Sequence, residues 1–217
     1  MTVPYVLHKY PFTLEYLLSE RKYNIVSIDP GVKNMGFCVE RRRLNSHTHL
    51  LYLERVTLKD VKYVTVKAYF DQFNYSHVKL VIIEEQMAFN SSVARIAKYI
   101  LSYFVCKVNA IIIEVSPKLK SKILNPKVIL KGPALKEWEI QEALSLLIRR
   151  GDQRGISEFL SEAPKDYILN EDLNTAVKFL KRKAKLDDKA TSIVQTEALM
   201  IWLLSNLKLS MSACLNF

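Results

Sequence analysis

Short apolar runs that stop on an acidic residue punctuate the first half of the chain. In NIVSIDPGVKNMGFCVE, residues 24–40, the run Ile25, Val26, Ile28 ends at Asp29, immediately before Pro30-Gly31. The pattern predicts strands over 24–29 and 35–43, and a third over 49–57 around Leu50, Tyr52 and Val56. Val61, Val64, Ala68 and Phe73 mark a helix within 58–75. A continuous apolar run over 79–84 again closes on acid, at Glu84. Residues 91–106 read as a helix and 110–115 as another buried strand, which Pro117 ends or redirects. From Pro133 onward strand signals stop, and helices are predicted over 134–149, 155–163, 171–184 and 187–208.

Three strands followed by helix, strand, helix, strand describe an α/β protein, one five-stranded sheet with helices on its faces. No repeat, low-complexity tract or linker divides the chain, and residues 1–22 read as an N-terminal extension without an assigned role.

Composition narrows the picture. At 217 residues and 49% hydrophobic content, the chain can bury a real core. Its 32 Lys and Arg against 22 Asp and Glu give +10, which favours a polyanionic partner such as nucleic acid. Cys38, Cys106 and Cys214 form no CxxC pair, which argues against zinc and for a reducing compartment. The apolar runs are too short to span a bilayer, so no membrane is expected. The N-terminus carries Glu15 and Glu20 and reads neither as a secretory signal nor as a mitochondrial presequence. His8, His47, His49 and His77 show no ligand spacing.

Acids therefore carry the candidate chemistry. Strand ends in one sheet can bring Asp29 beside a glutamate, and alternation lets only one of Glu84 and Glu85 face it. Asp187 and Asp188 open a strongly apolar helix, where both share a face with Thr191. Each has a plain structural reading. Asp29 suits the Pro-Gly turn, Glu84 and Glu85 a solvated strand end, and the aspartates a helix N-terminus. Together they repel one another unless a cation compensates, and their hard oxygens suit Mg²⁺ or Mn²⁺. Two such ions about 3.5–4 Å apart promote phosphodiester cleavage.

Four stretches, SIDPGVKNMGFCVE, VIIEEQMAFNSSVARIAKYI, IIIEVSPKLKSKIL and KLDDKATSIVQTEAL, resemble the blocks of RuvC-like Holliday junction resolvases. The branch they look most like is that of poxviruses, other large DNA viruses and fungal mitochondria. The resemblance covers about 23–208, with a helical insertion around 126–180. It implies an RNase H-like fold, a mixed five-stranded sheet flanked by helices with extra C-terminal helices, making 23–217 one nuclease domain. It also implies paired, metal-dependent cuts across four-way DNA and a homodimer, whose interface would use helix 91–106. Mg²⁺, replaceable by Mn²⁺, would be held as two ions per site, with no small-molecule cofactor. The setting would be intracellular, at a viral replication site in host cytoplasm or in the mitochondrial matrix.

By position, the resemblance makes Asp29, Glu84 and Asp188 the metal ligands, with Asp187 a further catalytic acid and Glu85 the alternative to Glu84. A lysine of SPKLKSK belongs to the active site, with Lys120 favoured among Lys118, Lys120 and Lys122. The late block departs from the family's DDxxD pattern, because Thr191 stands where the final acid is expected. A hydroxyl is a poorer ligand than a carboxylate. A junction-binding protein with an impaired centre is therefore the second reading. A sugar-kinase-like phosphotransferase would need more glycine than the five present.

Two basic clusters flank these acids. One runs through Lys118, Lys120, Lys122, Lys127, Lys131 and Lys136; the other through Lys178, Lys181, Arg182, Lys183, Lys185 and Lys189. They are either solvated faces or phosphate contacts, and proximity to the acids favours the second. Lys183 and Lys185 represent the later cluster among the expected DNA-binding residues. Met87 and Phe89 are either core residues or an exposed wedge that stacks on an unpaired base. Ser91, Ser92 and Arg95 start the next helix, where backbone N–H groups suit a phosphate.

Overall fold

The computed structural model describes residues 5–43, 48–87, 89–124, 130–161 and 186–214. Its strands are β1 (Tyr5–Lys9), β2 (Lys22–Asp29), β3 (Met35–Arg43), β4 (His49–Val56), β5 (Val78–Glu84) and β6 (Ile111–Val115). The helices are α1 (Leu14–Ser19), α2 (Tyr63–Phe70), α3 (Ser91–Lys107), α4 (Leu119–Leu124), α5 (Gly132–Arg149), α6 (Gln153–Leu160) and α7 (Asp187–Cys214). One mixed sheet runs in the order β1-β6-β5-β2-β3-β4. β2, β3 and β4 form an antiparallel meander, β5 and β6 run parallel to β2, and β1 is antiparallel to β6.

Strands buried on both faces explain the near-continuous apolar runs of β2, β5 and β6. Val26, Ile28, Val81, Ile83 and Ile112 point to one face, packing with Val66 and Phe70 of α2 and Ile96, Ile100 and Phe104 of α3. Their neighbours Ile25, Leu80, Ile82, Ile111 and Ile113 point to the other, packing with Leu199 and Leu203 of α7. Further along that second face Cys38, Leu50 and Leu53 meet Leu144 and Leu147 of α5 and Ile193 and Val194 of α7.

The α/β sheet expected from the pattern is present, with one more strand than predicted. β1 comes from the segment read as an extension, and pairs Tyr5 with Val115 at the sheet edge. Its middle residues are exposed, so it lacks the buried run by which the other strands were recognised. Tyr5 anchors it edge-on to Trp202 of α7, ring centroids 5.5 Å apart. The helix expected within 58–75 is shorter, Tyr63–Phe70. The one expected over 155–163 starts earlier because Asp152 caps it, accepting from the Gly155 N–H at 2.9 Å. α5 and α6 occupy the described part of the helical insertion, whereas the helix expected over 171–184 falls outside the described residues.

A charged network ties α5 and α7 to β3. Glu40 is fully buried and accepts from Arg150 at 2.8 Å and Arg42 at 3.2 Å. Both arginines also hold Glu197 of α7, at 2.8 and 2.7 Å. Among the described residues no helix is long and apolar enough to cross a membrane.

Candidate active site

The parallel pairing of β2 with β5 sets Ile28 opposite Ile83. The next residues, Asp29 and Glu84, therefore leave adjacent strands at the same sheet edge, the carboxyl ends where open α/β sheets place their sites. Glu84 is buried to 9% exposure, while Glu85 is exposed and its N–H is spent on the Val115 carbonyl at 2.8 Å. Strand alternation thus puts Glu84, and not Glu85, on the interior side.

α7 reaches the same edge because polar groups lock it across β2. The Ser27 hydroxyl donates to the Ser192 carbonyl at 2.7 Å, and the Gln195 amide donates to Ser27 Oγ at 2.6 Å and to the Ile28 carbonyl at 3.1 Å. One turn before Ser192, the backbone of Asp188 lies against Gly36, the residue paired with Asp29 across β2 and β3. Asp188 consequently adds its charge to the field at Asp29. Asp187 does not join it; its carboxylate pairs with Lys136 of α5.

α4 follows β6 and delivers Lys120, which is only 4% exposed. Its ammonium donates to Glu84 Oε2 at 2.6 Å and lies 2.9 Å from Glu139 Oε1. Glu139 of α5, also 4% exposed, accepts at Oε2 from the Thr191 hydroxyl at 2.9 Å. The Gln86 amide reaches Asp29 Oδ1 at 3.5 Å.

These placements shape the electrostatics. Burial pushes the Asp29 carboxyl well above the usual range, reinforced by the charges of Glu84, Asp188 and Glu139 and opposed by Lys120. Burial also raises Glu84, with Lys120 opposing and Glu139 adding. Burial alone would lower Lys120, but Glu84, Glu139 and Asp29 outweigh it and hold the ammonium protonated. The centre therefore holds more carboxylate than one ammonium compensates, the condition under which a further cation binds.

Of the residues expected at the site, Asp29, Glu84, Lys120 and Asp188 converge. Lys118 and Lys122 are exposed on either side of Lys120, and Arg95 is exposed on α3. Met87 and Phe89 are 52% and 85% exposed, so neither belongs to the core. Lys183 and Lys185, with the rest of the second cluster before it, lie outside the described residues. Lys189 departs from expectation: it is buried and donates to the Glu158 carbonyl and Ser161 Oγ, both at 3.2 Å, pinning α6. Glu139 escaped sequence reasoning altogether. Its signal was an acid in phase with the buried stripe Ala143, Leu146 and Leu147 of an amphipathic helix.

The donor set has the hard oxygen chemistry that Mg²⁺ prefers. Among the described residues no three His, Cys, Asp or Glu side chains form a cage around one ion. Mg²⁺ is ordinarily held by one or two carboxylates with waters and substrate phosphates, so the carboxylates present fit such an ion.

No family model matches the chain, and no curated protein matches it in sequence. Its structure is similar to that of Thermus thermophilus RuvC, at 13% identity and a TM-score of 0.50, over 82% of this chain and 96% of that one. The fowlpox virus resolvase, solved with substrate Holliday junction DNA, matches at 20% identity and 0.45, over 73% and 97% of the two chains. The yeast mitochondrial Holliday junction resolvase Ydc2 matches at 11% identity and 0.46, over 81% and 83%. The likeness to RuvC establishes the fold: this chain has the RNase H-like architecture that its sequence blocks implied.

Proposed function

We propose that this RuvC-like chain is a divalent-metal-dependent endonuclease that resolves four-way DNA junctions. The observation that carries the reading is the meeting of Asp29, Glu84 and Asp188 around one edge of a RuvC-like sheet, with a buried lysine among them. An adventitious gathering of acids at a half-buried sheet edge would cost stability without return.

One or two of Asp29, Glu84 and Asp188 would hold Mg²⁺, or Mn²⁺ in its place, with waters and substrate phosphate completing its shell. When bound, the metal supplies activation of water and stabilisation of the leaving oxygen in phosphodiester hydrolysis. The chain's own side chains do the rest. Lys118 and Lys122, exposed on either side of Lys120, and Arg95, exposed on α3, would draw backbone phosphates and contribute a salt-dependent part of the affinity. Phe89 and Met87 project from the loop after Glu84, where an aromatic face stacks on a base left unpaired at a branch. Two symmetric cuts need two centres, so the working unit is a homodimer, with an isologous interface that includes α3.

Thr191 supports a second reading, a junction-binding protein that does not cut. One experiment separates the two. The purified chain is incubated with a synthetic four-way junction in Mg²⁺, in Mn²⁺ and with chelator. Paired nicks that need the metal and vanish in D29N support the nuclease. Tight junction binding with no nick in either metal favours the binding protein, and undiminished cutting by both D29N and E84Q overturns the placement of the centre.

A further inference from the structure

The neutral residue at position 191 is the sequence's clearest departure from the resolvase pattern, and the structure shows what its hydroxyl does. Thr191 Oγ donates to Glu139 Oε2 at 2.9 Å, and Glu139 Oε1 lies 2.9 Å from the Lys120 ammonium. Lys120 in turn donates to Glu84 Oε2 at 2.6 Å. Four residues from four elements, α7, α5, α4 and β5, thus form one continuous chain ending at a carboxylate of the proposed metal centre.

Three features give this chain a job beyond packing. Both oxygens of Glu139 are engaged, one by a hydroxyl and one by an ammonium, so Glu139 is oriented to hold Lys120. Lys120, Glu139 and Thr191 are all nearly excluded from solvent, so withdrawing the ammonium would strand two buried carboxylates. Finally, an acid at 191 would lie beside Glu139 as a like charge, so the hydroxyl and the α5 glutamate are compatible where two carboxylates would compete. α5 has contributed the carboxylate that α7 lacks.

We infer that Glu139, steered by Thr191, is a positioning residue that fixes the Lys120 ammonium in the place of one cation, so that each centre takes up a single divalent ion. This rests on the nuclease reading above, and it departs from the two ions per site that the family resemblance implies. That ion would take one or two of Asp29, Asp188 and Glu84, with waters and phosphate oxygens as its remaining ligands.

The test counts ions. Mn²⁺ binding to the protein is measured by titration with electron paramagnetic resonance detection, for wild type and for K120Q, which keeps a hydrogen-bond donor but carries no charge. The expected result is one Mn²⁺ per chain in wild type and one more in K120Q. Two in wild type, or equal counts in the two proteins, overturns the inference. If K120Q does not fold, the wild-type count alone decides. Steering by Thr191 is read separately. E139Q lowers junction cleavage about 10–100-fold, the usual effect of losing a group that orients an active-site residue. Adding T191D to E139Q returns a carboxylate to the lysine and restores most of the loss. No restoration in a double variant that melts like wild type overturns the role given to Glu139. A wild type that cuts junctions while binding two ions sinks this inference alone. One that neither binds Mn²⁺ nor cuts sinks the nuclease reading with it.

Discussion

Gly36 of β3 lies so close to Asp188 of α7 that a Cβ at position 36 would stand 2.1 Å from the Asp188 carbonyl oxygen and 3.5 Å from Asp29 Cβ. Only glycine allows this approach, and through it the first turn of α7 meets the end of β2. The contact is backbone on both sides, so no side-chain rotation can relieve an added methyl group. G36A should push the α7 N-terminus from the sheet, at a cost of about 1–3 kcal/mol as in other overpacked interiors. Junction cleavage should fall further than the loss of folded protein explains. Denaturant unfolding alongside cleavage measured on the folded fraction checks both.

Asp29 competes with Glu84, Asp188 and Glu139 for the compensation that Lys120 provides. D29N removes one competitor, so the metal-free protein should become more stable while cleavage is lost. A gain of about 1 kcal/mol would raise the melting midpoint by about 2–4 °C in a chain of this size. Calorimetry in chelator tests this, and a lower midpoint for D29N would contradict the crowding of charge described here.

Phe89 is exposed and supports no core, so F89A should leave stability within about 0.5 kcal/mol of wild type. Stacking on an unpaired base is worth about 1–3 kcal/mol, and F89A should weaken junction binding accordingly while leaving binding to plain duplex unchanged. Gel-shift titrations on the two DNAs make the comparison.

The buried network around Glu40 sets an acid limit. Burial would raise Glu197, but Arg42 and Arg150 outweigh it and hold its carboxyl below the usual range. The folded state thus keeps Glu197 ionised at pH values where the unfolded chain takes up a proton. Its contribution is complete above about pH 4.5, the ordinary glutamate value, and is lost as pH falls through the lowered one. E197Q should flatten that part of the stability profile. R150M, which leaves buried Glu40 with Arg42 as its one charged partner, should cost about 3–5 kcal/mol at neutral pH.

Several of these relationships were legible before any coordinates. Asp29 and Glu84 could be paired because each ends an apolar run, and two neighbouring parallel strands bring their ends together by register alone. The helix start offered Asp187 and Asp188 alike, and the motif resemblance singled out Asp188, as it did Lys120. β2, β5 and β6 announced themselves by near-continuous hydrophobic runs, the mark of a sheet covered on both faces.

Other features were decided only by packing across distant segments. β1 is an edge strand whose partner, β6, lies about a hundred residues away, and its exposed side chains carry no burial signal. Asp187 and Asp188 are adjacent and chemically alike, yet α5 takes the first through Lys136 and the sheet takes the second through Gly36. Glu139 lies in phase with the buried stripe of α5, but only the crossing of α5 with α7 sets it between Thr191 and Lys120. Periodicity along a chain reports which face of an element is buried. It does not report which partner lies across that face, and for a buried charge the partner decides what the residue does.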